Sequence, residues 1–302
     1  MGALVLKSKN SLNVDVAPLD FIIYKQRVIN DGGVIVNETE TKAAIAYANA
    51  NNLNAGKVFS ATSASWGVKK QGTKLVKLYS LFDEKGDMLP VASLAIEITE
   101  YNGRQSVYLT ASAYSQIIKT AGTFSNVNSV AVATSTAVPA GRSAYSVTGE
   151  LIIASVSTID KSGGESVYNL NRLINYGFSR TPVANNDVAT WKSIVWMPTV
   201  YDTFKISSGY TNAVSAAHTA YASSTGVDLY YNNSKVVELT KYTDITDRTS
   251  QEFMVGAAHT DFSGEAGAFG KLPFLGYVFE SWCLINVTEN QAQALSVHIS
   301  RV

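Results

Sequence analysis

The chain has 302 residues, with 24 basic and 24 acidic side chains, a formal net charge of zero and a pI near 6.8. Charged residues make up 16%, against about 25% in ordinary globular proteins. This excludes the basic footprint of a nucleic-acid-binding protein, and no apolar run reaches the roughly 18 residues of a membrane-spanning helix. Weak charge also means weak colloidal repulsion, which suits a subunit held in an assembly. The length allows one large β domain with a small appendage. Cys283, the one cysteine, cannot form an internal disulfide and lies in an apolar run, where it reads as a small core hydrophobe. The first nine residues are too short and interrupted for a signal peptide. Three Asn-x-Ser/Thr sequons, at Asn37, Asn232 and Asn286, each have a turn or capping reading.

Residues 1–16 are irregular and polar, an arm that needs a partner surface to order it. Pro18 and Asp20 open a predicted helix holding Phe21, Ile22, Tyr24 and Val28, which Asn30-Asp31-Gly32-Gly33 ends. Asn37 caps a second helix with Glu40 three residues on, and Thr41, Ala44, Ile45 and Ala48 form its apolar stripe. Residues 17–54 thus read as a helical hairpin with too little apolar area to stand alone. From residue 55 strands dominate. Predicted strands cover 57–59 and 75–79, with 66–72 as the link between them. Residues 94–99 and 105–111 alternate on either side of Asn102-Gly103, the strongest hairpin signal in the chain. Further strands are predicted at 129–134, 145–157, 165–169, 173–178, 191–197, 204–207, 227–231, 236–239 and 252–257. Residues 276–285 are apolar at nearly every position, as in a strand covered on both faces. Thr288 and Gln291 then form a capping box ahead of a helix with Ala292, Leu295, Ile299 and Val302 on one face. The spacing predicts a mainly β protein, an antiparallel β-sandwich preceded by a small N-terminal helical hairpin and arm. The expected division is 1–54, a removable attachment module, and 55–302, one sandwich domain.

Three stretches resemble the concanavalin A-like (laminin-G-like) jelly roll found in virion proteins of tailed bacteriophages. The first is Gly67-Val68-Lys69-Lys70, then Lys77-Leu78-Tyr79-Ser80-Leu81-Phe82-Asp83 and Gly86-Asp87. The second is Val227-Asp228-Leu229-Tyr230-Tyr231-Asn232-Asn233. The third is Phe253-Met254-Val255-Gly256, then Phe274-Leu275-Gly276-Tyr277-Val278-Phe279-Glu280 and Ala294-Leu295-Ser296. Asn233 replaces the glycine of the family hairpin and requires a left-handed Asn. The turn at 83–87 lacks the family's Ser and Asn, and the Ala-Leu-Ser helix has no acidic residue after its serine, so no family ligand or calcium site is carried over. Residues 24–33 resemble a segment that precedes such phage domains, which implies that the hairpin docks the domain onto a particle.

The chain carries no recognisable catalytic set. Hydrolases on a sandwich of this kind need paired carboxylates on one strand face. No Glu-x-Asp occurs, and Glu97 and Glu100 have the wrong spacing. Residues 264–272 fail the phosphate-loop rule, and His218, His259 and His298 make no metal-ligand pair. His298 reads as a surface residue of the last helix. Asp244, Asp247, Asp261 and Glu265 lack calcium-loop spacing and read as turn and cap residues. Tyr210, Asn212, His259 and Asp261 are the candidate ligand rim, aromatic rings beside planar polar groups as sugar binding needs. The resemblance implies a non-enzymatic virion structural protein, a capsid decoration, head or neck fibre or tail appendage. It would be made in the host cytoplasm and displayed on the particle surface. Its expected partners are other capsid, neck or tail proteins and copies of itself, with no cofactor, metal, nucleic acid or membrane. The alternative is a carbohydrate-binding adhesin contacting host glycans, and a third reading is a polysaccharide-cleaving enzyme.

Overall fold

The computed structural model describes residues 18–53, 56–91, 96–110, 118–138, 149–158, 172–181, 190–197, 200–208, 214–239, 250–256 and 274–301. Helix α1 (Leu19–Asn30), strand β1 (Val34–Ile35) and helix α2 (Glu38–Ala50) come first. Strands β2 (Val58–Ser63), β3 (Gly67–Gln71), β4 (Lys74–Leu78), β5 (Met88–Pro90), β6 (Glu97–Tyr101), β7 (Arg104–Thr110), β8 (Ile118–Thr120), β9 (Ser129–Val138) and β10 (Gly149–Thr158) follow. Then come β11 (Arg172–Thr181), β12 (Thr190–Met197), β13 (Val200–Ser208), β14 (Val214–Ser223), β15 (Gly226–Tyr231), β16 (Ser234–Leu239), β17 (Gln251–Val255), β18 (Leu275–Ile285) and helix α3 (Glu289–Ile299).

All described pairings are antiparallel and fall into two series. One runs β6–β7–β18–β9–β14–β15–β16, with β2 taking over from β7 along the second half of β18. The other runs β1–β3–β4–β5–β8–β17–β10–β11–β12–β13. The pairing of Lys74 with Glu97 joins them. Inward side chains from both series, among them Val107, Val132, Leu229, Phe253, Val255, Val278 and Cys283, form one apolar core. The mainly β sandwich expected from the sequence is present.

A second core lies on the outer face of the first series, under the helices. Alternation explains it. On β9, Val130 and Val132 point into the sandwich, while Ala131 and Ala133 point out. Small outward residues let helices approach closely. Ala292, Leu295 and Ile299 of α3, Ala44, Ile45 and Ala48 of α2, and Phe21, Tyr24 and Val28 of α1 join this cluster. The hairpin and the C-terminal helix therefore form a third layer on the sandwich. Trp282 is its hub, fully buried and edge-on to Tyr47 at 5.8 Å, Trp66 at 5.9 Å and His298 at 5.6 Å. Strand β18 is covered on both faces here, as its continuous apolar run predicts.

Local signals behave as expected where they are short-range. The Thr288 hydroxyl accepts from Gln291 N–H at 3.3 Å, and Gln291 Oε1 accepts from Thr288 N–H at 3.1 Å. Asn102 and Gly103 take φ of 52° and 78° in the two-residue turn. Asn233 is left-handed, with φ 68°. Each sequon asparagine has a structural task. Asn37 caps α2, Asn232 Oδ1 accepts from Ala217 N–H at 2.8 Å, and Asn286 Oδ1 accepts from Asn128 N–H at 2.8 Å. Gly67 sits where a Cβ would collide with the Tyr24 ring, and its N–H donates to the Tyr24 hydroxyl at 2.8 Å.

Two expectations need correction. Residues 66–72 are not merely a link, because β3 occupies 67–71. Lys69 pairs with Lys77 across the β3–β4 ladder, and both ammonium groups reach Asp31 of the α1 end, at 3.2 and 2.8 Å. Tertiary ion pairs hold a segment that reads as a polar turn. Strand β14 falls in a stretch given no strand by the sequence. Its Ala, Ser and Thr residues show little polar–apolar contrast between faces, although both faces are covered. The predicted strand at 165–169 lies outside the described residues.

Candidate functional site

The helices cover only part of the outer face. Where they stop, strands β6, β7 and β18 present a row of aromatic rings. The Asn102-Gly103 turn sets the β6–β7 register, placing Tyr101 opposite Arg104, Thr99 opposite Ser106 and Glu97 opposite Tyr108. Val107 and Leu109 of β7 face the core, so Arg104, Ser106 and Tyr108 face out. Tyr277 of β18 pairs directly with Tyr108. The result is a stack of three half-buried phenol rings. Tyr277 lies 4.1 Å from Tyr101 and 4.7 Å from Tyr108, with interplanar angles of 19° and 24°. Ser106, small and fully buried, sits between Arg104 and Tyr108 on the same strand face.

A bulge in β18 between Val278 and Glu280 turns both Phe279 and Glu280 outward. The Arg104 guanidinium lies over the Phe279 ring at 4.3 Å. Glu280 Oε1 accepts from Trp282 Nε1–H at 2.6 Å and meets His298 Nε2 at 3.0 Å. The His298 ring stacks on Tyr47 at 3.9 Å. His298 is therefore not a surface residue. Its side chain is 13% exposed because it packs on Tyr47 of α2 and against Trp282 and Glu280 of β18. Arg104 Nη1, Tyr47 Oη and His298 Nδ1 are enclosed and have no hydrogen-bond partner among the described residues. Burial, reinforced by the Glu280 charge, raises the Tyr47 phenol well above its ordinary value. Burial lowers the Arg104 guanidinium, and Glu280 works against that shift.

A second polar cluster fastens α1 to the sandwich. Arg27 Nη1 donates to both Asp87 oxygens at 2.8 and 2.9 Å, and Asp31 accepts from Lys77 Nζ at 2.8 Å and Tyr79 Oη at 2.7 Å. Burial pushes the Asp87 carboxyl up, opposed chiefly by Arg27, whereas hydrogen bonds from Lys77, Tyr79 and Lys69 hold Asp31 far below the usual carboxylate range. These groups are mutually satisfied, so the cluster is structural.

The sequence-derived rim of Tyr210, Asn212, His259 and Asp261 lies outside the described residues, as do Asp244, Asp247 and Glu265. Glu97 and Glu100 sit on opposite faces of β6, as their spacing requires. Among the described residues no group of three His, Cys, Asp or Glu is placed to hold a metal ion. Cys283 is fully buried, and burial raises its thiol far above the ordinary range, as for an inert core residue. Sequence reading missed the tyrosine row. Its signal was the outward alternation Glu97, Thr99, Tyr101 and Arg104, Ser106, Tyr108 on either side of the turn.

No protein-family model matches the chain, and no curated protein is similar to it in sequence. Solved structures are similar to the chain only at low identity and with TM-scores below 0.5 among those compared. Domain 4 of AbnA, a GH43 extracellular arabinanase from Geobacillus stearothermophilus in complex with arabinotriose, is 14% identical. The match covers 67% of this chain and 81% of that one, with a TM-score of 0.39. The CBM40 of Ruminococcus gnavus IT-sialidase, bound to alpha2,6 sialyllactose, is 12% identical over 56% of this chain and 84% of its own, with a TM-score of 0.35. A structure of botulinum neurotoxin type C, whose cell entry is described as dependent on two ganglioside molecules, is 8% identical over 84% of this chain and 52% of that one, with a TM-score of 0.43.

Proposed function

We propose that the chain is a carbohydrate-binding β-sandwich that acts by binding a glycan rather than cleaving it. One observation carries this reading: the half-buried Tyr101–Tyr277–Tyr108 row beside Arg104, on the part of the outer face that none of the described helices covers. Such a row offers ring edges and hydroxyls to sugar C–H and O–H groups, and a guanidinium fixes orientation. A glycan array probed with the full chain tests it. Wild type is expected to bind a related set of sugars. Tyr277→Ala is expected to lose at least about tenfold in affinity, or about 1.4 kcal/mol, while its melting curve stays cooperative. Equal binding by Tyr277→Ala, or no binding by wild type, overturns the reading.

A second reading, compatible with the first, is favoured by a different surface. The outer side of α1 exposes Leu19 at 70%, Ile22 at 48% and Ile23 at 59%, beside exposed Val34 and Val36. Apolar side chains gathered on one side of an exposed helix suit a protein interface. It supports a subunit docked through its helical hairpin into a larger assembly, such as a virion surface whose other proteins, or further copies of this chain, cover α1. The double substitution Ile22→Lys with Ile23→Lys is expected to leave the melting temperature within a few degrees and to abolish assembly in sedimentation. Unchanged assembly sinks this reading.

A further inference from the structure

Resting on the carbohydrate reading above, we infer that the ligand is an acidic glycan whose carboxylate is read by Arg104. The argument begins with an unmet bond. Arg104 Nη1 is enclosed and has no acceptor. A buried donor without a partner is costly, and more so on a charged group. Glu280 and Glu40 lie near enough to act on the Arg104 charge. Yet Glu280 Oε1 is already committed to Trp282 and His298, and no ion pair joins either carboxylate to Arg104. Phe279 holds the guanidinium in place from one side at 4.3 Å, so the fork is pre-positioned and less side-chain freedom is lost on binding. The residue as a whole is half-exposed. A carboxylate entering from its open side meets the rest of the fork, which also has no acceptor among the described residues, in the planar, two-oxygen geometry that a guanidinium fits.

The row also has a direction. Tyr101 and Arg104 face each other at the turn end, while exposed Glu97 stands opposite Tyr108 at the other. A ligand lying along the tyrosines therefore meets the Arg104 guanidinium at one end, where Glu280 and Glu40 also act on its charge, and Glu97 at the other. That arrangement admits one acid group, at the Arg104 end, and disfavours a chain of closely spaced acids running past Glu97.

The test uses the full chain and sugars paired to differ in acid character. Galacturonic acid trimer is compared with its methyl ester, and sialyllactose with lactose, by titration calorimetry at low salt. Wild type is expected to bind at least one acidic member about tenfold or more tightly than its neutral partner, with a preference that shrinks at high salt. Which pair shows the preference separates uronic from sialic acids. Arg104→Gln is expected to lose the preference, its affinity for the acidic member falling to that for the neutral partner, and Arg104→Lys to recover part of it without the two-point fit. Equal affinity for acid and neutral forms in wild type, or a preference that survives in Arg104→Gln, overturns this inference and leaves the carbohydrate reading standing. Failure of every sugar to bind overturns both.

Discussion

His218 lies inside the sandwich, opposite Thr134 of β9 and Tyr231 of β15, and is fully buried. Burial depresses its imidazole to about 3, against an ordinary value near 6.5. The native state therefore binds fewer protons than the unfolded chain between those values. The neutral ring contributes stability that is present above pH 6.5 and is lost as the pH falls toward 3, on the order of a few kcal/mol across the window. Denaturant unfolding at pH 7 and pH 4 is expected to show a large drop for wild type and a clearly smaller one for His218→Gln. Equal drops would place the acid sensitivity elsewhere. At this scale much was legible. The Asn37 cap, the Thr288–Gln291 box, the left-handed Asn233 and the buried Cys283 all depend on neighbours close in sequence or on hydropathy alone. The surface reading of His298 failed because its partners, Tyr47 and Glu280, come from two other elements.

Helix α1 has two faces with separate consequences. Phe21, Tyr24 and Val28 are buried under the sandwich, while Leu19, Ile22 and Ile23 face solvent. The inner face belongs to the cluster that covers Val58, Trp66, Trp282 and Leu284. Docking is therefore best probed with the Ile22→Lys, Ile23→Lys pair, which leaves that cluster intact. Removing residues 1–54 as a block strips its cover, and at roughly 1.5–3 kcal/mol per large buried apolar side chain it is expected to lower the melting temperature by on the order of 10 °C or more. A fragment of 55–302 that melts like the full chain would show that the helices are dispensable. Element type was readable wherever the hydrophobic period was strong, as in α2, α3, β6, β7 and β18. It was not readable for β14, whose small residues carry little periodicity, or for β3, which tertiary ion pairs sustain.

The whole molecule is a sandwich with a partial helical third layer, and function is proposed for the part of the outer face beyond the described helices. The layers followed from alternation and spacing. The tyrosine row did not, because it is assembled by the register between β7 and a strand from the far end of the chain, and by a bulge that sequence does not mark. The most direct test of the account is to locate the ligand. A crystal structure of the full chain with the strongest-binding sugar from the array is predicted to show it along Tyr101, Tyr277 and Tyr108, with an acidic group at Arg104. A sugar seated elsewhere, for instance among Tyr210, Asn212, His259 and Asp261, with the Tyr277 face empty, would contradict it.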